Sequence, residues 1–569
     1  MCDYVDALNH NYVNPISNGN GTHTKICAND NGHTIIEECY DNGSNACVEC
    51  GFRITKATEG LTYELKTNAL NGTKYAVCTG IGTATDTDIV IGSHYEGFVV
   101  EQVSASAFKG NTKIKSVKFV NGMEKLNMYA FQGCTSLMSV HLSETVNNIG
   151  QGVFQWCENL LNICNDSQIN VKMGSSSNGY VGNYACNIYS SKSGGKGEFL
   201  TEGDYEYFIF PDNKFAMKYN GNETVINLPN DVTGLYKDLY KGKTNLKEVY
   251  IPSSVKNIGK MAFDGCTSLE KVTIAENSKL VDIGESAFLA CKNLKTFNFN
   301  STLEDYLNID FAGDTANPVY FTKTLNIGNS SVYDLTIPEG VTKINAYSFV
   351  NAESIKNIQF PASLEEIGAS AFSNCFGLQT IKFANGSKLK IINVSAFEYC
   401  KALVELNFPK SLEIIDDTAF RYCDSLTTIK FENDSQLTSI GQMAFIESKS
   451  LKTVHLGHNS SIKTIGKESF RDCAKMTEFN MGNNCKIETI EGFAFYQCRK
   501  LKEFYIPSTC TYVGNYTFGG CFDGLRNDPK TPYLKIYLDF DIKPASWSDT
   551  FNSSNCPIFV KTKYPTYPV

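Results

Sequence analysis

The chain has 569 residues, of which 42% are hydrophobic and 20% are charged, and its formal net charge is −9. Its 51 Lys and Arg residues are spread along the chain and form no basic block. This spread argues against nucleic acid as a partner, because a nucleic-acid surface needs clustered cations. No 18-residue apolar run is present, so we expect no membrane span in this chain. The N-terminus from Met1 to His10 lacks the basic and apolar regions of a signal peptide, so we expect an intracellular chain or a piece of a longer exported protein.

The segment 1–56 is rich in His and Cys and includes the pair in CVECG. A Cys-x-x-Cys pair beside further Cys and His residues fits the ligand types of a structural zinc site. The alternatives are a small domain held by one or two disulfides and a loosely folded leader. The sequence therefore predicts a small Cys/His module over residues 1–56, with no cofactor except a possible structural zinc, whose candidate ligands are Cys27, Cys39, Cys47 and Cys50.

A phenylalanine recurs along most of the remaining chain. Within unbroken stretches the sequence numbers of successive members differ by either 23 or 25, a period that no single helix or strand produces. Such a period indicates one supersecondary unit stacked many times. The recurring residues are Phe108, Phe131, Phe154, Phe263, Phe288, Phe349, Phe372, Phe397, Phe420, Phe445, Phe470, Phe495 and Phe518.

Each unit has the same internal order, as LVELNFPKSLEIIDDTAFRYC at residues 403–423 illustrates. A short opening strand has apolar residues at its first, fourth and sixth positions, and Pro409 ends it because proline has no N–H for a strand ladder. A second apolar cluster, the Phe and a Cys at the third position after it complete the unit. The longer of the two kinds of unit carries its extra residues just after the opening strand, as a longer turn.

One coil cannot bury its own apolar edge, so neighbouring coils must stack to close a core. The sequence thus predicts a curved, mostly β solenoid of about 13 repeats of 23 or 25 residues, with irregular or short helical connections. The recurring Phe residues would fill its interior, and the predicted core includes Phe372, Phe397, Phe420, Phe445, Phe470 and Phe495.

These units resemble the BspA-like (type 5) leucine-rich repeats of surface proteins from host-associated bacteria and some parasitic protists. The segments LKEVYIPSSVKNIGKMAFDGC from Leu246 and IKNIQFPASLEEIGASAFSNC from Ile355 carry the resemblance. It implies a leucine-rich repeat fold and a cell-surface or secreted location, whereas ligands vary widely among members.

Ten of the 21 Cys residues lie at the third position after the Phe of their unit. Free Cys behaves as a small buried hydrophobe, and parallel side chains on stacked coils disfavour disulfide geometry. We therefore expect a row of buried thiols: Cys134, Cys157, Cys266, Cys291, Cys375, Cys400, Cys423, Cys473, Cys498 and Cys521.

The repeats suggest a division of the chain into six segments. They are the Cys/His module 1–56, an N-terminal cap with the first repeat block 57–165, an irregular insertion or degenerate coils 166–240, a second block 241–300, an insertion 301–335, and the main block with a C-terminal cap 336–569.

No P-loop, His-Glu-x-x-His, nucleophile elbow or dinucleotide fingerprint occurs, so we expect no enzyme. The fifth position of each opening strand should face outward, which predicts a binding face for a protein or glycan partner on a host or neighbouring cell. The alternative is a structural spacer, with any specific activity in the module 1–56 or the segment 166–240. The predicted face comprises Tyr250, Asn298, Gln359, Lys382, Asn407, Lys430, His455, Asn480 and Tyr505.

Overall fold

The structure is a computed structural model, and it describes part of the chain in full. The described residues are 57–172, 175–185, 187–192, 197–210, 212–328, 330–521 and 534–560, together with the backbone of four strands within the segment 1–56. Those four strands, Tyr4–Val5, Asn11–Ser17, Thr22–Cys27 and Thr34–Glu38, pair antiparallel in chain order. The side chain of Cys27 and the residues Cys39, Cys47 and Cys50 lie outside the described part, so the zinc interpretation of this module stays a prediction.

The chain forms two compact units, one of residues 1–198 with 209–212 and one of residues 199–208 with 213–569. In the first unit the opening strands stack in register as one parallel sheet. They are Asp88–Ile91, Ser116–Phe119, Ser139–Leu142, Asn162–Asn165 and Asn187–Tyr189.

A second ladder runs through the same unit and contains the strand that closes each coil. Its parallel members are Lys74–Gly80, Phe98–Val103, Lys125–Leu126 and Asn148–Ile149. Strand Thr62–Thr67 pairs antiparallel with the first of these, strand His94–Tyr95 pairs antiparallel with Phe98–Val103, and Asn178–Tyr180 forms a 3₁₀ turn.

The second unit repeats this arrangement over a longer stretch. Its opening strands form four hydrogen-bonded groups. The first is Val225–Asn227, Glu248–Ile251, Lys271–Ile274, Thr296–Phe299 and Asn326–Ile327, which ends with the antiparallel Ser330–Ser331. The second group is Asp334–Thr336, Asn357–Phe360 and Thr380–Phe383. The third is Glu405–Phe408, Thr428–Phe431, Thr453–His455 and Glu478–Asn480. The fourth is Glu503–Ile506, Lys535–Leu538 and Ile558–Val560.

The closing strands of this unit form two ladders. The first is Glu198–Glu202, Tyr205–Phe210, Asn213–Tyr219, Gly234–Leu235, Asn257–Ile258, Asp282–Ile283 and Asp310–Phe311. The second is Lys343–Ile344, Glu366–Ile367, Ile391–Ile392, Ile414–Ile415, Ser439–Ile440, Thr464–Ile465, Thr489–Ile490 and Tyr512–Val513.

Helices are few and short in the described part of this unit. Helix Leu303–Leu307 begins with a capping box formed by Thr302 and Asp305, and helix Val319–Thr322 follows the 3₁₀ turn Asp314–Ala316. No helix among the described residues is long and apolar enough to cross a lipid bilayer.

The predicted solenoid of repeats is confirmed, and it has additional coils without the recurring Phe. Strand Val225–Asn227, for example, pairs with Glu248–Ile251 as a coil of the same ladder. In that coil Tyr240 takes the place of the Phe, since its ring stacks on that of Phe263 with centroids 5.1 Å apart. The repeat count from Phe alone is therefore lower than the number of turns in the structure.

The alternation along each opening strand is as expected from the sequence. In the coil of residues 403–423, Leu403, Leu406 and Phe408 are buried, whereas Val404 and Asn407 are exposed. Buried residues alternate with exposed ones because successive side chains of a strand point to opposite faces.

The recurring Phe rings form a stacked row in the interior. The rings of Phe372, Phe397 and Phe420 follow one another with centroids 5.1 Å apart and interplanar angles of 3° and 6°. All six predicted core Phe side chains have no exposed surface. From Phe349 to Phe518 each coil thus adds one ring to a continuous aromatic column, which burial and ring–ring contact stabilise together.

The thiols form a second row beside the rings. Each of the ten predicted Cys residues is buried and free, and its thiol donates to the carbonyl of the aromatic residue one coil earlier. Cys423 Sγ, for example, lies 3.5 Å from the carbonyl oxygen of Phe397. Burial raises the pKa of the Cys423 thiol, so the group stays protonated and donates.

Two residues in each coil have left-handed backbone conformations on either side of the Phe. In the coil of Phe420 they are Thr418 with φ 55° and Tyr422 with φ 59°. Glycine takes the later position in some coils, as Gly133 and Gly265 do. A non-glycine residue in this conformation costs about 1–2 kcal/mol, which the packing of the coils offsets.

Backbone N–H groups beside the Phe donate forward to the next coil. The amide of Phe420 donates to the carbonyl of Ala444 at 2.8 Å. For Phe518 the segment 548–554 supplies the acceptors instead: the amide of Phe518 donates to the carbonyl of Phe551 at 2.9 Å, and that of Gly520 donates to Ser554 Oγ at 2.6 Å. This segment takes the position of a further coil.

Candidate binding face on the opening strands

The nine residues predicted to form the binding face all lie on the outward side of the opening strands. None of them is buried, and Tyr250 is 39% exposed. Asn407, Lys430, His455 and Asn480 are direct register partners on four successive strands. The face is therefore an ordered ladder, with one side chain contributed by each coil.

Neighbouring side chains on this ladder make local polar contacts. His455 Nδ1 lies 3.8 Å from Glu478 Oε1, and Asn480 Nδ2 donates to the same oxygen at 3.4 Å. Nearer the start of the second unit, Lys271 Nζ lies 3.4 Å from Glu248 Oε2. The face thus presents donors and acceptors of mixed charge.

Aromatic rings dominate the last part of the ladder. The rings of Tyr505 and Tyr537 stack with centroids 4.8 Å apart and an interplanar angle of 9°, and Phe559 continues the row at 5.1 Å from Tyr537. The Tyr505 hydroxyl donates to Glu503 Oε2 at 3.2 Å. Burial and the nearby Glu503 carboxylate raise the pKa of Tyr537, so its hydroxyl is a neutral donor and acceptor at neutral pH.

A groove of about 1200 Å³ opens beside these tyrosines. It lies where the hydrogen-bonded ladder is interrupted between strands Glu478–Asn480 and Glu503–Ile506. The turns that follow the two strands, residues 481–486 and 507–509, form its walls. The extra residues of the longer coils lengthen the first of these turns and so contribute to the wall.

Hydrogen bonds from the previous coil hold the longer turn in place. The Asn483 amide donates to His458 Nδ1 at 3.0 Å, and Asn484 Nδ2 donates to Asn459 Oδ1 at 2.8 Å. Within the turn itself, the Gly482 amide donates to Oδ1 of the residue that ends the strand, Asn480, at 2.8 Å. Because each coil fixes the turn of the next, the groove wall is ordered before a ligand arrives, which lowers the entropy cost of binding.

The charged groups that line the groove are of both signs. They are the carboxylates of Glu478, Glu503 and Asp539 and the cationic or titratable groups of Lys486, Lys502 and His458. Cys485 lies among them, and burial raises the pKa of its thiol, so it is a poor nucleophile at neutral pH. The groove is suited to hydrogen bonding and aromatic contact.

Sequence reasoning missed part of this groove. Tyr537 lies in a coil without the recurring Phe. The spacing of the Phe residues therefore did not show that Tyr537 occupies the outward position of an opening strand. The signal available was its equivalence to Tyr505, since YLKIYLDF at residues 533–540 has the same alternation as LKEFYIP at residues 501–507. The turn 481–486 carries no motif, and only the stacking of coils brings it to the tyrosines.

Comparison with known proteins supports the fold. The family model described as the BspA type leucine-rich repeat region matches six copies, over residues 97–178, 210–334, 327–434 and 390–523. No curated protein matches the chain.

Similar solved structures include leucine-rich repeat proteins of two bacteria. A leucine-rich cell surface protein from Faecalibacterium prausnitzii A2-165 is 22% identical over 63% of this chain and 96% of its own, with a TM-score of 0.36. A leucine-rich repeat protein from Bacteroides ovatus ATCC 8483 is 18% identical over 83% of this chain and 98% of its own, with a TM-score of 0.35. The family matches span more than half of the sequence, and the chain belongs to the BspA type leucine-rich repeat family.

Proposed function

We propose that this chain is a non-catalytic cell-surface or secreted protein that binds a protein or glycan on a host or neighbouring cell. The contact surface is the outward face of the opening strands, and its centre is the groove beside Asn480, Tyr505 and Tyr537. The observation that carries the proposal is the coincidence of this groove with the stacked tyrosines on the strand face.

Three features of the face support binding. Its tyrosines are partly exposed and held by stacking, so little side-chain entropy is lost when a partner covers them. Its walls are fixed by hydrogen bonds between coils. Its amides and carboxylates are the groups that recognise peptide and sugar hydroxyl groups. The surface location is supported by membership of the BspA type leucine-rich repeat family.

The test is a binding screen of the full chain against matrix proteins, glycans and intact cells, followed by variants of the groove. We expect saturable binding that weakens at least about tenfold in a Tyr505→Ala, Tyr537→Ala double variant, because loss of a central aromatic contact costs on the order of 2 kcal/mol or more. The thermal midpoint of each variant is measured in parallel to show that it is folded.

Tyr512→Ala is the matched control, since Tyr512 is 42% exposed but lies on a closing strand. Its binding should equal that of the unsubstituted chain. A second variant, Tyr250→Ala with His455→Ala, tests the rest of the ladder and should weaken binding less. No binding across the panel would overturn the proposal and favour a spacer role. If the groove variant and the Tyr512 control lose affinity equally, the groove is not the centre of the contact surface.

A further inference from the structure

Three side chains with metal-binding atoms meet on the strand face of the first unit. A ring nitrogen of His141, the Cys164 sulfur and a carboxylate oxygen of Asp166 all lie within 4.8 Å of one another. His141 and Cys164 are register partners on neighbouring parallel strands, so they lie one coil apart. Asp166 directly follows the strand Asn162–Asn165.

Hydrogen bonds fix the carboxylate between the other two groups. Asp166 Oδ1 accepts from Ser190 Oγ and from the Ser191 amide, both at 2.8 Å. This leaves Oδ2 directed at His141 Nε2, 2.8 Å away. Burial alone raises the pKa of Asp166, but the hydrogen bonds from Ser191, His141 and Ser190 outweigh it and hold the pKa well below its usual range. The carboxylate is therefore anionic at neutral pH.

The cluster is mostly buried but is open on one side. The side chain of Asp166 is 7% exposed and that of His141 is 26% exposed, while Cys164 is buried. Surrounding protein therefore shields the charges, and the imidazole edge still provides a path from solvent.

Cys164 differs from the ten thiols of the interior row. Those thiols each donate to a backbone carbonyl inside the coil. The Cys164 sulfur lies instead on the outward face, 4.0 Å from Asp166 Oδ2. Its thiol therefore lies next to the Asp166 carboxylate, which accepts hydrogen bonds from Ser190 and Ser191 of the next coil.

We propose that His141, Cys164 and Asp166 bind a zinc ion, with a fourth coordination position open to solvent. Imidazole, thiolate and carboxylate are all zinc ligands, and a thiolate in the set disfavours magnesium and calcium. The anionic thiolate and carboxylate together balance the charge of a divalent cation. Tetrahedral bonds of about 2.0–2.3 Å place the ligand atoms about 3.3–3.8 Å apart. His141 Nε2 and Asp166 Oδ2, which are 2.8 Å apart, therefore separate slightly around the metal, and the Cys164 sulfur moves towards them by about 1 Å or less.

The proton changes on binding follow from the present contacts. Without a cation, the Cys164 thiol keeps its proton and donates towards Asp166 Oδ2, 4.0 Å away. The metal replaces the thiol proton, which goes to solvent. The hydrogen bond between His141 Nε2 and Asp166 is replaced by two bonds to zinc, and a neutral imidazole then carries its proton on Nδ1.

The test uses the full chain with Cys27, Cys39, Cys47 and Cys50 all replaced by Ser, so that the N-terminal module does not contribute ligands. Zinc bound per chain is measured by plasma mass spectrometry after equilibration with Zn²⁺ alone. Co²⁺ then serves as a spectroscopic probe, because a thiolate ligand gives a charge-transfer band in the near ultraviolet. We expect one metal ion per chain and a thiolate band.

Cys164→Ser, His141→Ala and Asp166→Asn should each weaken zinc binding by at least about 100-fold, and Cys164→Ser should also abolish the thiolate band. Asp166→Asn keeps an oxygen for Ser190 and Ser191, so it preserves the fold contacts. His455→Ala is the control, since His455 occupies the same strand position as His141 without a Cys partner in register. If the four-Ser background fails to fold, the same differences are measured in the unsubstituted chain. A folded chain without zinc, or equal zinc binding in all variants, would overturn the proposal.

Discussion

Cys157 and Cys164 are close in sequence and represent two regions of the same coils. Cys157 belongs to the interior row, and its thiol donates to the carbonyl of Phe131 at 3.0 Å. Cys164 lies on the strand face beside His141 and Asp166. The interior position meets the same packing requirement in every coil, so the sequence repeats there. The face position meets no such requirement, and successive coils carry Lys118, His141, Cys164 and Tyr189 in register.

This difference distinguishes the residues of a repeat protein that determine its fold from those that determine its function. Residues that recur at a fixed period close the core, and residues that vary at one position of the period diversify the surface. The thiol row and the Phe column belong to the first class. The groove tyrosines and the His141 cluster belong to the second class.

The largest expected effect on stability comes from removing one ring from the interior column. Phe420→Ala should lower the free energy of unfolding by about 3–5 kcal/mol, because it removes contacts to Phe397 and Phe445 and leaves a cavity. Denaturant titration followed by circular dichroism measures the change. Asn407→Ala on the outward face of the same coil is the control and should change stability by less than about 0.5 kcal/mol. Equal effects of the two substitutions would break the distinction between interior and face.

A smaller effect tests the thiol row itself. Ser448 occupies the Cys position of its coil, and its buried hydroxyl has no hydrogen-bond partner among the described residues. Ser448→Cys should raise the free energy of unfolding by about 1 kcal/mol, because the longer thiol reaches the carbonyl of the preceding coil.

Cys423→Ser is the reciprocal variant. Its free energy of unfolding should fall by a similar amount, because it places a serine next to Phe397 where a thiol now donates a hydrogen bond. Both changes are read from denaturant midpoints. If stability is unchanged in both variants, these positions require only a small side chain, and the hydrogen bond from the thiol does not contribute.

The smallest effect concerns the closing strands. Burial and the neighbouring Asp310 raise the pKa of Asp282 to about 6, so its ionised form opposes folding. The folded state binds a proton more readily than the unfolded chain, and stability from this group is therefore gained as pH falls through about 6. Asp282→Asn should raise the thermal midpoint by about 1–2 °C at about pH 7 and leave it nearly unchanged at about pH 4. Equal midpoints of the two proteins at neutral pH would contradict the assignment.

The periodic part of the sequence predicted the fold in detail. The spacing of Phe, the alternation around Leu403 and Leu406, and the Cys position after each Phe all correspond to observed contacts. These features were predictable because each arises from one local rule that every coil obeys.

Other features could not be predicted because they depend on contacts between coils of unlike sequence. The left-handed residues beside the Phe are mostly not glycine, as Thr418 and Tyr422 show, so composition does not mark them. Cys164 lies outside the interior Cys pattern, and its pairing with His141 requires the strand register. The groove requires an interruption of the ladder that no residue type signals.

The segment 548–554 has a consequence for how such chains associate. It supplies acceptors to the amides of Phe518 and Gly520, in place of those that another coil would provide. A stack of coils without this segment would present open donors and an aromatic ring, a template onto which a coil of any similar chain can add. The segment therefore covers the backbone donors and the ring of the last coil that carries the recurring Phe.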